Sequence, residues 1–368
     1  MTEQYRFTYE ESLLLTWVKG EETIPNRKFD IPKLHRFAQK NGLAPYLFFI
    51  TKDLKEVLPK ELKALLKKDF FNTLVRNTLI QNTWKKVRTL LSEHQIHYVP
   101  LKGLFIAQYI YPDFNTRPMS NLDILIMGEK ATQAFDLLLK NGAQVSGEGA
   151  AAHDLKTGHH LPPLLFQGVL IELHTSLFPL DMNHQIPNSF IEPRLIQYDQ
   201  VSTLPPMLNF CYLCLHAYST MRRGGIRLSW FLDLVLLSRS DYFQKDETSL
   251  SALLQQLKIE KPVMDIIHRA EFLFDYRFPF VPAELRSTMS PDEISDFIHF
   301  IHSSGQQDTR YSYAIAFERL KNTKGFINKI RFIKSVIMRG GHTDLASIMR
   351  RLGTLSIRSL KMLFFRSK

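Results

Sequence analysis

The feature that most constrains the fold is a change in hydrophobic period near residue 96. Before it, apolar residues recur at helical spacing, as in Leu62, Leu66 and Phe70, and this spacing predicts amphipathic helices. Beyond it come short runs of β-forming residues, which predict strands. Helical spacing returns after residue 205. The pattern therefore predicts an α+β protein in which a small β-sheet lies between two helical regions.

The predicted elements follow these changes of period along the chain. The predicted strands cover 97–101, 121–126 and 169–174. The predicted helices after the first strand cover 103–111, 132–140, 205–218, 228–237, 246–257, 261–275, 291–303 and 310–338. We expect four regions: an N-terminal helical region over 1–95, an α/β core over 96–200, a C-terminal helical region over 201–318 and a basic amphipathic tail over 319–368.

The composition excludes several other classes of protein. The chain has 368 residues, of which 45% are hydrophobic, 23% are charged and two are cysteines, which rules out a disulfide scaffold, a disordered chain and a collagen-like fibre. No apolar run approaches the roughly 18–20 residues that span a bilayer. The first residues show no basic stretch followed by an apolar one, so no secretory signal is predicted. We expect a cytoplasmic protein.

The positive charge is concentrated at one end of the chain. Residues 319–368 hold 13 Lys and Arg against one acidic residue, Asp344, a balance of +12, so the other 318 residues carry −1 of the net +11. Phe326, Ile330 and Ile333 form an apolar stripe among these charges. Such a segment can dock on the protein's own core, on an anionic membrane surface or lipid-linked substrate, or on nucleic acid. The membrane reading would place the protein at the inner face of the membrane, and nucleic acid is the least favoured of the three.

Polar residues and one glycine cluster in the strand-bearing middle of the chain. They are Lys102, Gly103, Arg117, Asn121, Asp123, Glu172 and His174. Carboxylates that point the same way from neighbouring strands bind hard divalent cations. A glycine at a strand-to-helix turn lets backbone N–H groups approach a phosphate, whose charge Lys and Arg neutralise. These residue types are typical of a metal-dependent phosphoryl or nucleotidyl transfer site.

Several runs of this region also resemble a known family. The runs Val99–Gly103, Arg117–Ile126, His159–Pro163 and Ile171–His174 resemble the uncharacterised bacterial nucleotidyltransferase-like family of the polymerase-β superfamily. Leu228–Asp233 is similar to the helical half of that family. The resemblance covers roughly residues 80–240.

This resemblance implies a small mixed β-sheet with a pair of acids on one strand and a third acid on a later one. It also implies two Mg²⁺ (or Mn²⁺) ions, an NTP substrate and transfer of the NMP to a hydroxyl of an unknown acceptor. By position, Asp123 is the second acid of the pair and Glu172 is the third. The residues predicted to contact nucleotide phosphates are Lys102, Gly103, Arg117 and Ser120.

Asn121 departs from the family pattern, which has an aspartate at this position. A neutral amide in place of a bridging carboxylate weakens divalent-cation binding, because ligand charge sets the affinity of such sites. Asn121 is therefore predicted to be a weak third ligand. Three interpretations stay open: an enzyme with a weakened site, a relative that binds nucleotide without catalysis, and an engineered Asp→Asn variant. The alternative to an enzyme is a nucleotide-binding or scaffold protein whose tail docks on a membrane or nucleic acid.

Other candidate residues have structural interpretations. His174 is predicted to pack against the site or to contact substrate, and the histidines between residues 153 and 174 lack the spacing of a zinc site. Cys211 and Cys214 lie in an apolar helix and are expected to be core residues. Asp233 is expected to pair with an arginine, and the candidates are Arg222, Arg223 and Arg227.

Overall fold

The computed structural model describes residues 5–54, 58–146, 159–179, 182–244 and 246–303, with Leu320 and Lys329 as isolated positions. Apart from these two positions, the predicted tail over 319–368 and the predicted helix over 310–338 lie outside the described residues. The described residues form an α+β fold in which helices flank a small mixed sheet, and the predicted fold class is confirmed.

Four helices precede the sheet: α1 (Tyr9–Val18), α2 (Ile31–Lys40), α3 (Ala44–Thr51) and α4 (Lys60–Glu93). The Asp30 carboxylate caps α2 by accepting the backbone N–H of Lys33. α4 is 34 residues long, and its apolar face contributes to two hydrophobic cores. The N-terminal part packs among the other helices, and the C-terminal part packs under the sheet through Ile80, Trp84, Val87 and Leu91.

The sheet contains five strands in the order β1-β2-β5-β4-β3. The chain runs through β1 (Val99–Pro100), α5 (Lys102–Tyr109), β2 (Asn121–Leu125), α6 (Lys130–Lys140), β3 (Gln144–Val145), β4 (Leu164–Phe166) and β5 (Val169–His174). β2 and β5 are parallel neighbours at the centre, and the other pairs are antiparallel. The β4–β5 hairpin turns at Gln167 and Gly168, both in the left-handed region with φ of 52° and 77°.

The remaining elements form a small hairpin and a second set of helices. They are α7 (Asn188–Ile191), β6 (Ile196–Tyr198), β7 (Val201–Thr203), α8 (Pro206–Met221), α9 (Leu228–Arg239), α10 (Asp241–Gln244), α11 (Leu250–Leu257), α12 (Glu260–Phe274) and α13 (Pro291–Ser303). α8 packs against α9 and α12, and its Cys211 and Cys214 are buried core residues, as predicted. Within the described residues, every helix is too short or too polar to cross a bilayer.

Candidate functional site

The register of the two central strands brings the predicted acids together. Asn121 and Asp123 lie two residues apart on β2 and therefore share one face of the sheet. β5 runs parallel to β2 with Glu172 directly opposite Asp123, so both carboxylates lie on the same face. Asp123 is buried and Glu172 is half-buried. The alternation of side chains along each strand determines which face of the sheet each acid lies on. The pairing of β2 with β5 then brings the two acids side by side.

This face of the sheet forms one wall of a cavity of about 600 Å³. Residues of α8 and α9, and the turn between these helices, form the facing wall. The polar and aromatic side chains that line the cavity are Lys40, Lys102, Arg117, Ser120, Asn121, Asp123, Glu172, His216, Arg227, Trp230 and Asp233. All the predicted catalytic and phosphate-binding residues, with Gly103, therefore line one cavity. His174 lies behind them and contacts Asp123.

The Asp123 carboxylate accepts two hydrogen bonds at the same oxygen. Lys102 Nζ and His174 Nε2 each lie 2.8 Å from Asp123 Oδ1. Burial alone would raise the pKa of Asp123, but the charge of Lys102 and the hydrogen bond from His174 hold it well below its ordinary value. Asp123 is therefore an anion throughout the physiological pH range.

The pKa of Glu172 is shifted in the opposite direction to that of Asp123. Burial and the neighbouring Asp123 carboxylate raise the pKa of Glu172 above its ordinary value. Two carboxylates this close repel each other unless a cation lies between them. The Lys102 ammonium supplies only one positive charge here. A further cation that binds between the two carboxylates would therefore relieve their repulsion and lower the free energy of the site.

His174 completes a group of three residues that could hold a metal ion. Oxygen atoms of Asp123 and Glu172 and a nitrogen of His174 all lie within 4.8 Å of one another. Burial and the charge of Lys102 lower the pKa of His174 to about 4, so its imidazole is neutral at pH 7. Its Nε2 is bonded to Asp123, while its buried Nδ1 has no hydrogen-bond partner within the described part of the chain. Two carboxylates and an imidazole nitrogen are a donor set that fits a divalent cation.

Lys102 adopts a strained backbone conformation at the start of α5. Its φ is +47°, in the left-handed region that costs a non-glycine residue about 1–2 kcal/mol. Although burial lowers the pKa of the Lys102 ammonium, the Asp123 carboxylate raises it above its ordinary value. Lys102 is thus held as a cation over Asp123, and strain of this kind concentrates at functional sites. Whether Lys102 also contacts phosphate stays a prediction.

Arg117 is bound to Asp233 of α9, a partner that the sequence did not suggest. Its Nε lies 2.8 Å from Asp233 Oδ1 and its Nη2 lies 2.6 Å from Asp233 Oδ2. The Tyr111 hydroxyl donates to the same carboxylate at 2.9 Å. This buried group joins the segment before β2 to the helical wall of the cavity. The expected pairing of Asp233 with an arginine is therefore correct, but the partner is Arg117 and none of the three that were predicted.

The absence of a side chain at Gly103 makes room for that arginine. A Cβ at Gly103 would lie 2.6 Å from Arg117 Nη1, closer than such atoms approach. The glycine therefore has a packing role beside the predicted phosphate contact. Ser120, the other predicted phosphate contact, donates its hydroxyl to Asn121 Oδ1 at 3.2 Å and so orients the amide.

Some residues that shape the site were missed by the sequence analysis. Arg76 of α4 donates to the carbonyl oxygens of Gly168 and Ser120 at 3.0 and 2.8 Å. Asn77 donates to the carbonyl oxygens of Phe114 and Arg117 at 2.7 and 2.9 Å. Both side chains tie α4 to the segments that lead into β2 and β5. Asn77 carried a signal, because it is a polar residue on the apolar face of a helix.

Further residues that line the cavity were not predicted to belong to the site, although Trp230 lies in the run Leu228–Asp233 that resembles the family. Trp230 packs beside His216, with ring centroids 5.5 Å apart, and Arg227 is exposed at the cavity's helical wall. Lys40 donates to the last carbonyl groups of α13, at Ile301 and His302. Helical spacing predicts which face of a helix is buried, but it does not predict which helix packs opposite the sheet.

The segment before β4 brings additional histidines to this region. The backbone N–H of Leu161 donates to the Leu173 carbonyl at 2.8 Å, and Thr175 N–H donates to the His159 carbonyl at 2.8 Å. The rings of His159 and His160 therefore lie 5.3 and 5.8 Å from the ring of His174. Within the described residues, only His174 joins the two acids in a group with metal-ligand spacing.

Comparison with known proteins agrees with this geometry. A family model described as "Uncharacterised nucleotidyltransferase" matches residues 27–275, which is more than half of the chain. The match includes the sheet, the acids and the helical wall of the cavity. No curated protein and no solved structure matches the chain. The extent of the family match shows that the chain belongs to this family of uncharacterised nucleotidyltransferases.

Proposed function

We propose that this chain transfers a nucleoside monophosphate from an NTP to a hydroxyl group of an acceptor. The acceptor hydroxyl loses its proton to water as its oxygen attacks the α-phosphorus, the bond from that phosphorus to the bridging oxygen breaks, and pyrophosphate leaves. The displacement requires no covalent bond to the protein. Asp123, Glu172 and Asn121 would hold the divalent cation, for which the family resemblance implies Mg²⁺ or Mn²⁺. When bound, the cation supplies charge neutralisation at the phosphates and activation of the hydroxyl.

One observation carries this proposal. Asp123 and Glu172 lie directly opposite each other on parallel strands, and both line the same cavity. The electrostatic repulsion between the two acids favours cation binding. A cavity of about 600 Å³ is within the range of small-molecule sites, roughly 300–1,000 Å³.

The chain's own cations would then bind and orient the nucleotide. Lys102 Nζ lies 2.8 Å from Asp123 Oδ1, and in the proposed complex it would turn from that carboxylate to a phosphate. The remaining nitrogen of Arg117, Nη1, lies beside Gly103, where it can contact a phosphate oxygen without breaking its bonds to Asp233. Ser120 holds the Asn121 amide oxygen. These contacts would fix the nucleotide for in-line attack.

The direct test measures pyrophosphate release from each of the four NTPs with Mg²⁺ or Mn²⁺. Transfer of an α-labelled NMP to the protein itself and to a panel of hydroxyl compounds is measured in parallel. Release that is lost in Asp123→Asn and in Glu172→Gln, both isosteric changes, supports the proposal. Equal release by the unmodified chain and by both variants would contradict it, because the acids would then play no part.

A second candidate function is nucleotide binding without transfer. Two observations favour it: Asn121 supplies a neutral amide where the family pattern has an acid, and Lys102 already neutralises Asp123. In that case NTP binds, but neither the unmodified chain nor Asn121→Asp releases pyrophosphate. Equilibrium dialysis with labelled NTP, run beside the release assay, separates the two functions.

The role of the basic segment over 319–368 is the subject of a separate proposal. We infer from its charge of +12 and its apolar stripe that it binds an anionic surface, which would bring the cavity to a lipid-linked acceptor. Pelleting with vesicles that contain anionic lipid, with and without residues 319–368, tests this reading. Equal pelleting of both chains would contradict it and leave docking on the protein's own core or on nucleic acid.

A further inference from the structure

We propose that His174 is a metal ligand, and that the cation site therefore prefers a transition metal such as Zn²⁺ or Co²⁺ to Mg²⁺. The inference rests on the cation site of the proposed function and names the metal class that this site selects. It gives His174 a role other than the predicted substrate contact.

The first argument is the spacing of the ligand atoms. His174 Nε2 lies 2.8 Å from Asp123 Oδ1 and 3.7 Å from Glu172 Oε2. Two ligands that each lie about 2.1 Å from one cation are about 3.0 Å apart at right angles and about 3.4 Å apart at the tetrahedral angle. The observed separations are close to these values. Small side-chain shifts would therefore place all three atoms around one ion.

The second argument is the chemistry of the donor atoms. Mg²⁺ requires oxygen ligands in near-ideal octahedral geometry, whereas an imidazole nitrogen suits zinc and its neighbours in the first transition row. At the position where the family pattern has an acid, Asn121 supplies one neutral oxygen instead of a carboxylate. The missing charge lowers affinity for a hard cation, while the neighbouring nitrogen of His174 raises affinity for a softer one.

The third argument concerns the proton on the His174 ring. In its present hydrogen bond, Nε2 carries the proton that it donates to Asp123. Metal binding at Nε2 requires that proton to move to Nδ1, which has no hydrogen-bond partner within the described residues. The change breaks no bond at Nδ1 and releases no net proton, and coordination of both residues by the metal ion would replace the lost bond from Nε2 to Asp123. Lys102 would leave Asp123 Oδ1 at the same time.

A structural role for His174, in which it merely orients Asp123, predicts a different outcome. The variant His174→Gln separates the two roles, because glutamine keeps an N–H that can donate to Asp123 but lacks the imidazole nitrogen. His160→Gln is the matched control, since it makes the same change in a neighbouring ring outside the three-ligand group. Thermal unfolding of all three chains checks that the variants are folded.

The experiment titrates the full chain with Co²⁺ and follows its visible absorption, which reports nitrogen coordination, and then displaces the Co²⁺ with Zn²⁺ or Mg²⁺. We expect one equivalent of Co²⁺, displaced by Zn²⁺ and not by an equal concentration of Mg²⁺. His174→Gln should weaken Co²⁺ binding about ten-fold or more and change the spectrum, while Mg²⁺ affinity and the His160→Gln chain stay unchanged.

Two results would overturn the inference. One is Co²⁺ binding by His174→Gln with the affinity and spectrum of the unmodified chain. The other is displacement of Co²⁺ by equimolar Mg²⁺ in the unmodified chain, a result that needs no variant to fold. Because no NTP is present, failure here is distinguishable from failure of the proposed transfer activity.

Discussion

Replacing Asp233 with asparagine is expected to destabilise the protein by about 3–5 kcal/mol. Asp233 and Arg117 are 2% and 8% exposed, so the charge that remains after the substitution is shielded from water. Asparagine can still accept the bonds from Arg117 Nε and from the Tyr111 hydroxyl, but its amide N–H₂ would face Arg117 Nη2. The guanidinium would thus lose its counter-ion and meet a second donor.

Urea unfolding followed by tryptophan fluorescence measures this loss. The loss is large beside the roughly 5–15 kcal/mol that stabilises a typical domain. The double variant Arg117→Met with Asp233→Leu serves as control, because exchange of a whole buried ion pair for apolar side chains is often close to neutral. A cost below about 1 kcal/mol for Asp233→Asn would refute the reasoning, since it would mean that water screens the pair.

Three further changes follow from contacts in the site. Gly103→Ala should cost about 1–3 kcal/mol in urea unfolding, because its Cβ would lie 2.6 Å from Arg117 Nη1; a neutral result would mean that the arginine moves freely. Lys102→Met should raise divalent-cation affinity about ten-fold in calorimetric titration, since it removes the cation on Asp123; weaker binding would contradict this. Burial and the charge of Lys102 lower the pKa of His216 well below 6.5, so below that pH the unfolded chain takes up a proton that the folded chain does not. Stability therefore falls as the pH drops below 6.5, and His216→Gln should reduce this fall by up to about 1.4 kcal/mol per pH unit; an unchanged slope in urea unfolding would contradict the prediction.

The positions of most elements could be predicted because they depend on local periodicity. The predicted helix over 291–303 coincides with α13, and the predicted strand over 169–174 coincides with β5. β3 and β4 were missed because two or three residues are too few to establish a period of two. The turn at Gln167 and Gly168, with both residues in the left-handed region, is the main local signal for β4, which it joins to β5.

The contacts within the site could not be predicted, because they join distant parts of the chain. Arg117 and Asp233 are 116 residues apart, and Lys102 meets Asp123 across 21 residues. The sequence identified Lys102 and Arg117 as cations suited to phosphate. Which acid pairs with each of these cations depends on how β1, β2 and α9 pack against one another, and no local sequence pattern predicts that packing. The resemblance to the family identified Asp123 and Glu172 because it includes information on packing that one sequence lacks.

The central claim, that this site transfers a nucleoside monophosphate, is tested most directly through Asn121. The measurement is pyrophosphate release and label transfer from α-labelled NTPs by the unmodified chain, by Asn121→Asp and by Asn121→Asp with Asp123→Asn. A third carboxylate should increase cation binding and raise the rate about ten-fold or more, and the added Asp123→Asn should abolish it. No release by Asn121→Asp with any NTP, despite measured binding of NTP and metal, would contradict the claim.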